Sequence, residues 1–199
     1  MYSRKIVILV SLWVVVFSYS NVFSQANNDY RTRQTGDWTT ASTWERYNGS
    51  TWVTATTSPT ATNAGVITIR NGHEVRVDAI ISVDQVVVDV GGIISFKCES
   101  SQEFLNVVDG VGVDLINNGT INIIKTGGTN SHVNVYGQMV NNGTISIQYD
   151  CHVNVFGVFE NNNNVTAGKD AGGIWYGMFS VHSGALLKCS PTSVIGGDG

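Results

Sequence analysis

Short polar turns, each followed by apolar residues in alternation, recur along this chain. The phrase Asn-Asn-Gly-Thr-Ile-x-Ile stands at Asn117–Ile123 and again at Asn141–Ile147, and a worn copy occupies Asn161–Ala167. With the second residue of each turn pair as anchor, His73 leads into Val75 and Val77, Gly92 into Ile94 and Phe96, and Gly119 into Ile121 and Ile123. Gly143 then leads into Ile145 and Ile147, Asn163 into Val165 and Ala167, and Ala185 into Leu187 and Cys189. The anchors are 19, 27, 24, 20 and 22 residues apart. Alternation with period two is strand spacing. A unit that cannot bury its apolar face alone must stack on its neighbours. Fixed short strands joined by loops of variable length predict an all-β fold, a right-handed parallel β-helix of about 19–27 residues per coil.

A second strand lies inside each coil. His132-Val133-Asn134-Val135-Tyr136-Gly137 matches His152-Val153-Asn154-Val155-Phe156-Gly157 at a spacing of 20. Val133 and Val135 are expected to face inward, with Val153 and Val155 stacked on them one coil later. Adjacent strands lie about 4.8 Å apart, so six anchors give a rod on the order of 30 Å long. Asn and Gly suit the turns because both tolerate left-handed backbone angles and Asn bonds its own turn. Stacked Asn side chains are also expected to form ladders between coils.

Composition changes the picture in three ways. Charged residues make up 13% and the formal net charge is −4, so electrostatics does not favour nucleic acid. The N-terminus reads as a secretory signal: Arg4 and Lys5 precede an apolar run of 12 residues, Ile6 to Phe17, too short for a membrane span. Ser24-Gln25-Ala26 then offers a cleavage site, giving a mature start near Asn27. The three cysteines, Cys98, Cys151 and Cys189, leave one unpaired whatever the pairing. Cys189 is read as a small buried hydrophobe at the inward position of Phe96 and Ile147. A Cys98–Cys151 disulfide depends on a proximity the sequence does not establish.

Residues 27–65 lack the repeat and hold Tyr30, Trp38, Trp44, Tyr47 and Trp52 among small polar residues. A solenoid's first coil exposes strand edges and open core, and an atypical terminal segment usually covers them. These aromatics therefore predict a plug over the N-terminal end. The competing reading makes Trp38, Trp44 and Trp52 a platform for stacking sugar rings. Gly36-Asp37-Trp38, Ser42-Thr43-Trp44, the run Val66-Ile67-Thr68-Ile69-Arg70-Asn71-Gly72-His73-Glu74-Val75-Arg76-Val77, and then Val86-Val87-Val88 with Gly91-Gly92 follow in that order. This order resembles the opening of secreted, adhesin-like bacterial surface proteins, many of which carry a type IX secretion sorting domain. It is also similar to the eight-glycine domain of some extracellular and ciliary proteins. The resemblance covers about residues 30 to 96 and implies a β-helix and a surface location, with no catalytic residues to carry over.

Candidate chemistry is sparse. Polysaccharide lyases and hydrolases on β-helices need clustered carboxylates. Here Asp84 and Asp89 are five apart, as are Asp109 and Asp114, while Asp150 and Glu160 stand alone. Solvated turn residues are the simplest reading, and no catalytic residue is assigned. His132 and His152 are expected to stack on the outer face, where they would form a two-ligand metal site, too few ligands for structural zinc. No cofactor is expected. The triplets at Asn48, Asn118, Asn142 and Asn164 match glycosylation acceptors but have structural reasons to sit in turns. The organisation expected is a signal peptide at 1–26, a cap at 27–65 and a β-helix at 66–199 continuing past the chain end. The function expected is a non-enzymatic, extracellular or cell-surface adhesin-like module contacting glycans or cell-surface components, with no membrane span after cleavage. Outward Asn122, Ser146, Asn134 and Asn154 would form its flat polar arrays. The alternatives are the N-terminal part of a carbohydrate-active β-helix enzyme and a purely structural spacer.

Overall fold

The computed structural model describes residues 25–97, 102–123, 131–148, 150–168 and 177–197. The apolar run of the signal segment and Cys98 lie outside the described residues, and with Cys98 the disulfide expectation. One 3-10 turn, Ala41–Thr43, interrupts an otherwise all-β chain. Three sheets of nine, seven and five strands make up the fold. From Ile67 onward the chain visits them in strict rotation. Ile67–Ile69 lies in the nine-stranded sheet, Glu74–Val77 in the seven-stranded and Ile80–Val83 in the five-stranded. The next circuits are Val86–Val88, Ile93–Phe96 and Glu103–Val107, then Leu115–Asn117, Thr120–Ile123 and Ser131–Val135. Gln138–Asn141, Thr144–Ile147 and His152–Val155 follow, then Val158–Asn161, Asn164–Ala167 and Met178–Val181. Leu186–Cys189 and Val194–Gly197 begin another. Every pairing within this rotation is parallel, as in a β-helix or solenoid.

The inward positions of each strand build one continuous core. In the seven-stranded sheet Val75, Ile94, Ile121, Ile145 and Val165 stack in register and are 0–1% exposed. In the five-stranded sheet Leu105, Val133 and Val153 do the same. Branched side chains dominate because they pack well on a pleated surface. Each contributes about 1.5–3 kcal/mol when fully buried.

Two kinds of amide ladder mark the corner between the nine- and seven-stranded sheets. Asn117, Asn141 and Asn161 are wholly buried. Asn117 Nδ2 donates to Asn141 Oδ1 at 2.7 Å, and Asn141 Nδ2 donates to Asn161 Oδ1 at 2.8 Å. One residue further, Asn142 donates to Asn118 at 2.9 Å and Asn162 donates to Asn142 at 3.0 Å. Gly119 and Gly143 follow these asparagines for a reason other than left-handed geometry. Positive φ occurs at Gly72 and Gly91, 78° and 80°, but not at Gly119 or Gly143. At Gly143 a Cβ would collide with the carbonyl oxygen of Gly119 in the circuit below. Glycine is needed there for close stacking of backbone on backbone.

The sixth anchor requires a correction. Leu186–Cys189 pairs with Val158–Asn161 in the nine-stranded sheet, so it is not the equivalent of Asn164–Ala167. That role falls to Val194–Gly197, which places Ile195 on Val165. Both strands follow a short polar turn, and a spacing of 22 falls within the range of true circuits. Cys189 accordingly stands in the column of Asn117, Asn141 and Asn161, not that of Phe96 and Ile147, and it is exposed. Cys151 is buried at 0%.

The segment before the repeat joins the same sheets. Tyr30–Thr32 pairs in parallel with Ile67–Ile69, and Gly36–Asp37 with Glu74–Val77. Trp44–Tyr47 then pairs antiparallel with Tyr30–Thr32, and Trp52–Thr54 antiparallel with Trp44–Tyr47. This antiparallel hairpin covers the first edge of the nine-stranded sheet, the edge most open to unwanted pairing.

Candidate functional surface

The outer face of the five-stranded sheet carries three columns, because residues two apart on a strand share a face. The first holds Ile80, Phe104, His132, His152 and Met178, aligned by register. The middle column holds Ser82, Asn106, Asn134, Asn154 and Ser180. Here Asn154 Nδ2 donates to Asn134 Oδ1 and Asn134 Nδ2 donates to Asn106 Oδ1, both at 2.9 Å. The third column continues just past the strands. Tyr136 and Phe156 stack with centroids 5.0 Å apart and planes 10° apart, and Phe156 and His182 at 4.1 Å and 16°. Tyr136 and Phe156 are 47% and 40% exposed. An uncharged amide ladder thus runs between two ridges of rings.

His132 and His152 stack as their spacing predicts. Their ring centroids are 4.7 Å apart, edge to face, and Phe104 lies 4.8 Å from His132 on the other side. Burial holds the His132 pKa below the ordinary imidazole value; nearby His152 lowers it further, and Asp150 opposes both. His132 Nδ1 is buried without a hydrogen-bond partner. Asp150 Oδ1 lies 3.8 Å from His152 Nε2. Among the described residues no group of three His, Cys, Asp or Glu side chains is placed to hold a metal ion.

The three tryptophans occupy different surroundings. Trp38 and Trp44 are 0% exposed, with centroids 5.1 Å apart. Trp38 Nε1 donates to the Pro59 carbonyl at 3.0 Å, and Trp44 Nε1 donates to the Trp38 carbonyl at 2.8 Å. Neither ring has a face open to a sugar, because both fill the end of the core. Trp52 is partly exposed, but the Arg31 guanidinium lies 4.0 Å over its ring and Tyr47 packs at 5.4 Å. Arg31 is itself bound to Glu45 at 2.5 Å. A groove of about 240 Å³ beside Trp52 is lined by Arg31, Arg70 and Asp89. It adjoins an apolar trough of about 320 Å³ over Val87 and Ile116.

The carboxylates combine differently from their spacing in sequence. Asp84 shares a hydrogen bond with Asp114, thirty residues later, because Val86 and Leu115 are register partners in adjacent circuits. Asp114 is wholly buried, and its oxygens accept the backbone N–H groups of Gly110 at 2.9 Å and Gln138 at 2.6 Å. Both Asp114 oxygens serve the turn, so this carboxyl is not free to meet a substrate. Burial raises the Asp84 pKa, and the bond to Asp114, that residue's charge and Asp109 add to it, against the Gln85 backbone. A raised carboxyl pKa means that the folded chain holds this proton more tightly than the unfolded chain does. The resulting stability is present below the unfolded value of about 3.9 and is lost as pH rises through the folded value. Asp84→Asn keeps the shape and supplies N–H donors to Asp114 at every pH. The variant is expected to melt a few degrees above the parent at pH 7, with the gap closing toward pH 3.5, in thermal melts across that range. An equal gap at both ends would refute the repulsion.

No family model, curated protein or solved structure matches this chain. Among the described residues no helix is long and apolar enough to cross a membrane.

Proposed function

We propose that this chain is a right-handed parallel β-helix with an aromatic N-terminal cap, exported by its signal segment and displayed as a non-enzymatic, adhesin-like module that contacts glycans. The resemblance of residues 30 to 96 to type IX-associated surface proteins and the eight-glycine domain motivates the export and display. The observation that carries the contact role is the set of in-register polar arrays on the outer faces. Asn122, Ser146 and Thr166 align on the seven-stranded sheet, and Asn106, Asn134 and Asn154 on the five-stranded. Such arrays offer many weak, evenly spaced hydrogen-bonding groups and no convergent acid and base. That suits retention of a repeating polymer, and it does not suit cleavage. A glycan array probed with the full chain, run beside a lyase and hydrolase screen, tests the reading. Binding without turnover is the expected result, and turnover by the chain alone would overturn it.

A further inference from the structure

We infer that the outer face of the nine-stranded sheet is an interface between two copies of this chain, packed face to face in inverted order. Register aligns one outward residue from each strand of that sheet in a column. It runs Glu45, Arg31, Thr68, Val87, Ile116, Val140, Glu160 and Lys188. Its centre, Val87, Ile116 and Val140, is apolar and partly exposed. The outward columns Ser95, Asn122, Ser146 and Thr166 of the seven-stranded sheet and Asn106, Asn134 and Asn154 of the five-stranded are polar instead. Three branched apolar residues in succession, at intervals of about 4.8 Å, form the stripe from which an interface core is built. Beside them Val111 stands 88% exposed at the rim of the trough of about 320 Å³ over Val87 and Ile116. Gln85 Nε2 donates to the Val111 carbonyl at 2.8 Å and fixes that knob in place. A knob and a trough on one patch suit a two-fold contact, in which each copy offers both to the other.

The charged ends of the column select a second copy as the partner and set its direction. One end reads acid then base, Glu45 and Arg31, and the other reads acid then base again, Glu160 and Lys188. A two-fold axis along the strands, between the rows of Val87 and Ile116, reverses the order of the facing column. Val87 then meets the partner's Ile116, and Thr68 meets the partner's Val140. Arg31 meets the partner's Glu160, and Glu45 meets the partner's Lys188. A two-fold axis along the stack would set every residue against its own copy, with four like-charge contacts, which cost several kcal/mol. The inverted order alone matches charge with countercharge.

These charges also have partners within their own chain. Arg31 Nε lies 2.5 Å from Glu45, Arg70 reaches Glu45 at 3.3 Å, and Asn162 Nδ2 donates to Glu160 at 3.3 Å. Contacts across the interface therefore extend existing pairs, and they fix orientation more than affinity. In the neighbouring column Arg70 and Asp89 would face the partner's Asn142 and Asn118, amides able to accept from the one and donate to the other. Sheet faces pack about 10 Å apart and cross within about 30° of each other. Contact is then closest at Val87 and Ile116, and the long Arg, Glu and Lys side chains span the ends. Covering this face leaves the polar columns of the other two sheets open on both copies.

The test is sedimentation velocity of the full chain over a concentration series, and a monomer–dimer equilibrium is expected. Val87→Lys with Ile116→Lys should raise the dissociation constant about tenfold or more, with an unchanged thermal melt because both positions face outward. Glu160→Lys with Lys188→Glu is the second probe should the first variant not fold. That exchange keeps the net charge and the pairing of the two neighbours but sets like charges against Arg31 and Glu45 of the other copy, so weaker association is expected. Asn122→Lys, on the seven-stranded sheet, should leave the equilibrium unchanged. Direction is read by oxidation of Thr68→Cys with Val140→Cys in a chain carrying Cys189→Ser. The two positions are about 14 Å apart within one chain, too far to bridge, so a covalent dimer reports the inverted order. Thr68→Cys alone should not cross-link, and equal cross-linking by it overturns that order. A monomer alone up to about 1 mM, or a dimer indifferent to both face variants, overturns the interface. Neither readout involves a glycan, so failure here leaves the contact role proposed above untouched.

Discussion

Replacing Trp44 with alanine is expected to cost about 3–5 kcal/mol of stability while leaving any glycan retention of the folded chain unchanged. Trp44 is wholly buried against Trp38, and its Nε1 donates to the Trp38 carbonyl at 2.8 Å. Alanine would open a large cavity at the end of the core and leave that carbonyl without its donor. Trp44→Phe refills most of the volume but not the hydrogen bond, and should cost about 1–3 kcal/mol for the orphaned buried carbonyl. Urea unfolding of the three chains, with retention measured on each under folding conditions, separates the two roles weighed for this residue. A cap residue shows the graded stability loss and no binding defect. A sugar platform would show the reverse, and a binding defect with less than about 1 kcal/mol lost would reinstate it. Trp38, with its bond to the Pro59 carbonyl, should behave in the same way.

The cap and the outer face of the five-stranded sheet obey one physical rule with opposite outcomes. An aromatic ring in this fold either turns into the end of the core, where the cap segment seals it, or outward, where its neighbours in its own column cover it. Trp38 and Trp44 take the first course and Tyr136 and Phe156 the second. Trp38 and Trp44 sit among Gly, Asp, Ser and Thr, and Tyr136 and Phe156 each close a Val-Asn-Val run before a glycine, yet that difference in neighbours does not itself say which rings are buried. What separates them is alternation counted from a known inward residue. Val133 and Val135 are inward, so Tyr136, the next residue past the strand end, stacks outward beyond them.

That rule also accounts for what could be read in the sequence. The stacking of Val133 on Val153 and of Ile121 on Ile145 follows from two residue strings repeated almost verbatim, and register needs no more than that. The third sheet was less legible. Its strands, such as Leu115–Asn117 and Gln138–Asn141, run straight into the turn of the next sheet, so they blur into the Asn-Asn-Gly phrase. Missing them allowed Leu186–Cys189 to be counted in the wrong sheet. The Asp84–Asp114 pair was hidden for a related reason. Its members are thirty residues apart and meet because Val86 pairs with Leu115 in the next circuit, whereas spacing alone suggested Asp84 with Asp89 and Asp109 with Asp114. The role of Gly119 and Gly143 was hidden too, since a glycine required by a neighbouring backbone looks the same in sequence as one required by a left-handed turn.

Asn141 offers the sharpest test of the ladder that holds the corner. Its side chain accepts from Asn117 and donates both to Asn161 and, at 3.4 Å, to the Asn164 carbonyl. Asn141→Ala removes all three bonds and strands a buried amide oxygen on Asn161, an expected loss of about 2–4 kcal/mol. Asn141→Asp should be worse at neutral pH, because a carboxylate has no donor for Asn161 and its charge would be buried. That variant should recover part of the difference as pH falls and the carboxyl is protonated. The pair Asn117→Ala with Asn141→Ala should lose less than the sum of the single changes, because the second substitution deletes a bond already broken by the first. Full recovery is not expected, since Asn117 also accepts the Gly119 N–H at 3.2 Å and donates to the Thr144 carbonyl at 3.2 Å. Equilibrium urea unfolding of the four chains reads out the coupling directly. Strictly additive losses would mean that the asparagines act as independent turn residues, each bonding its own backbone, and that the ladder contributes nothing as a unit.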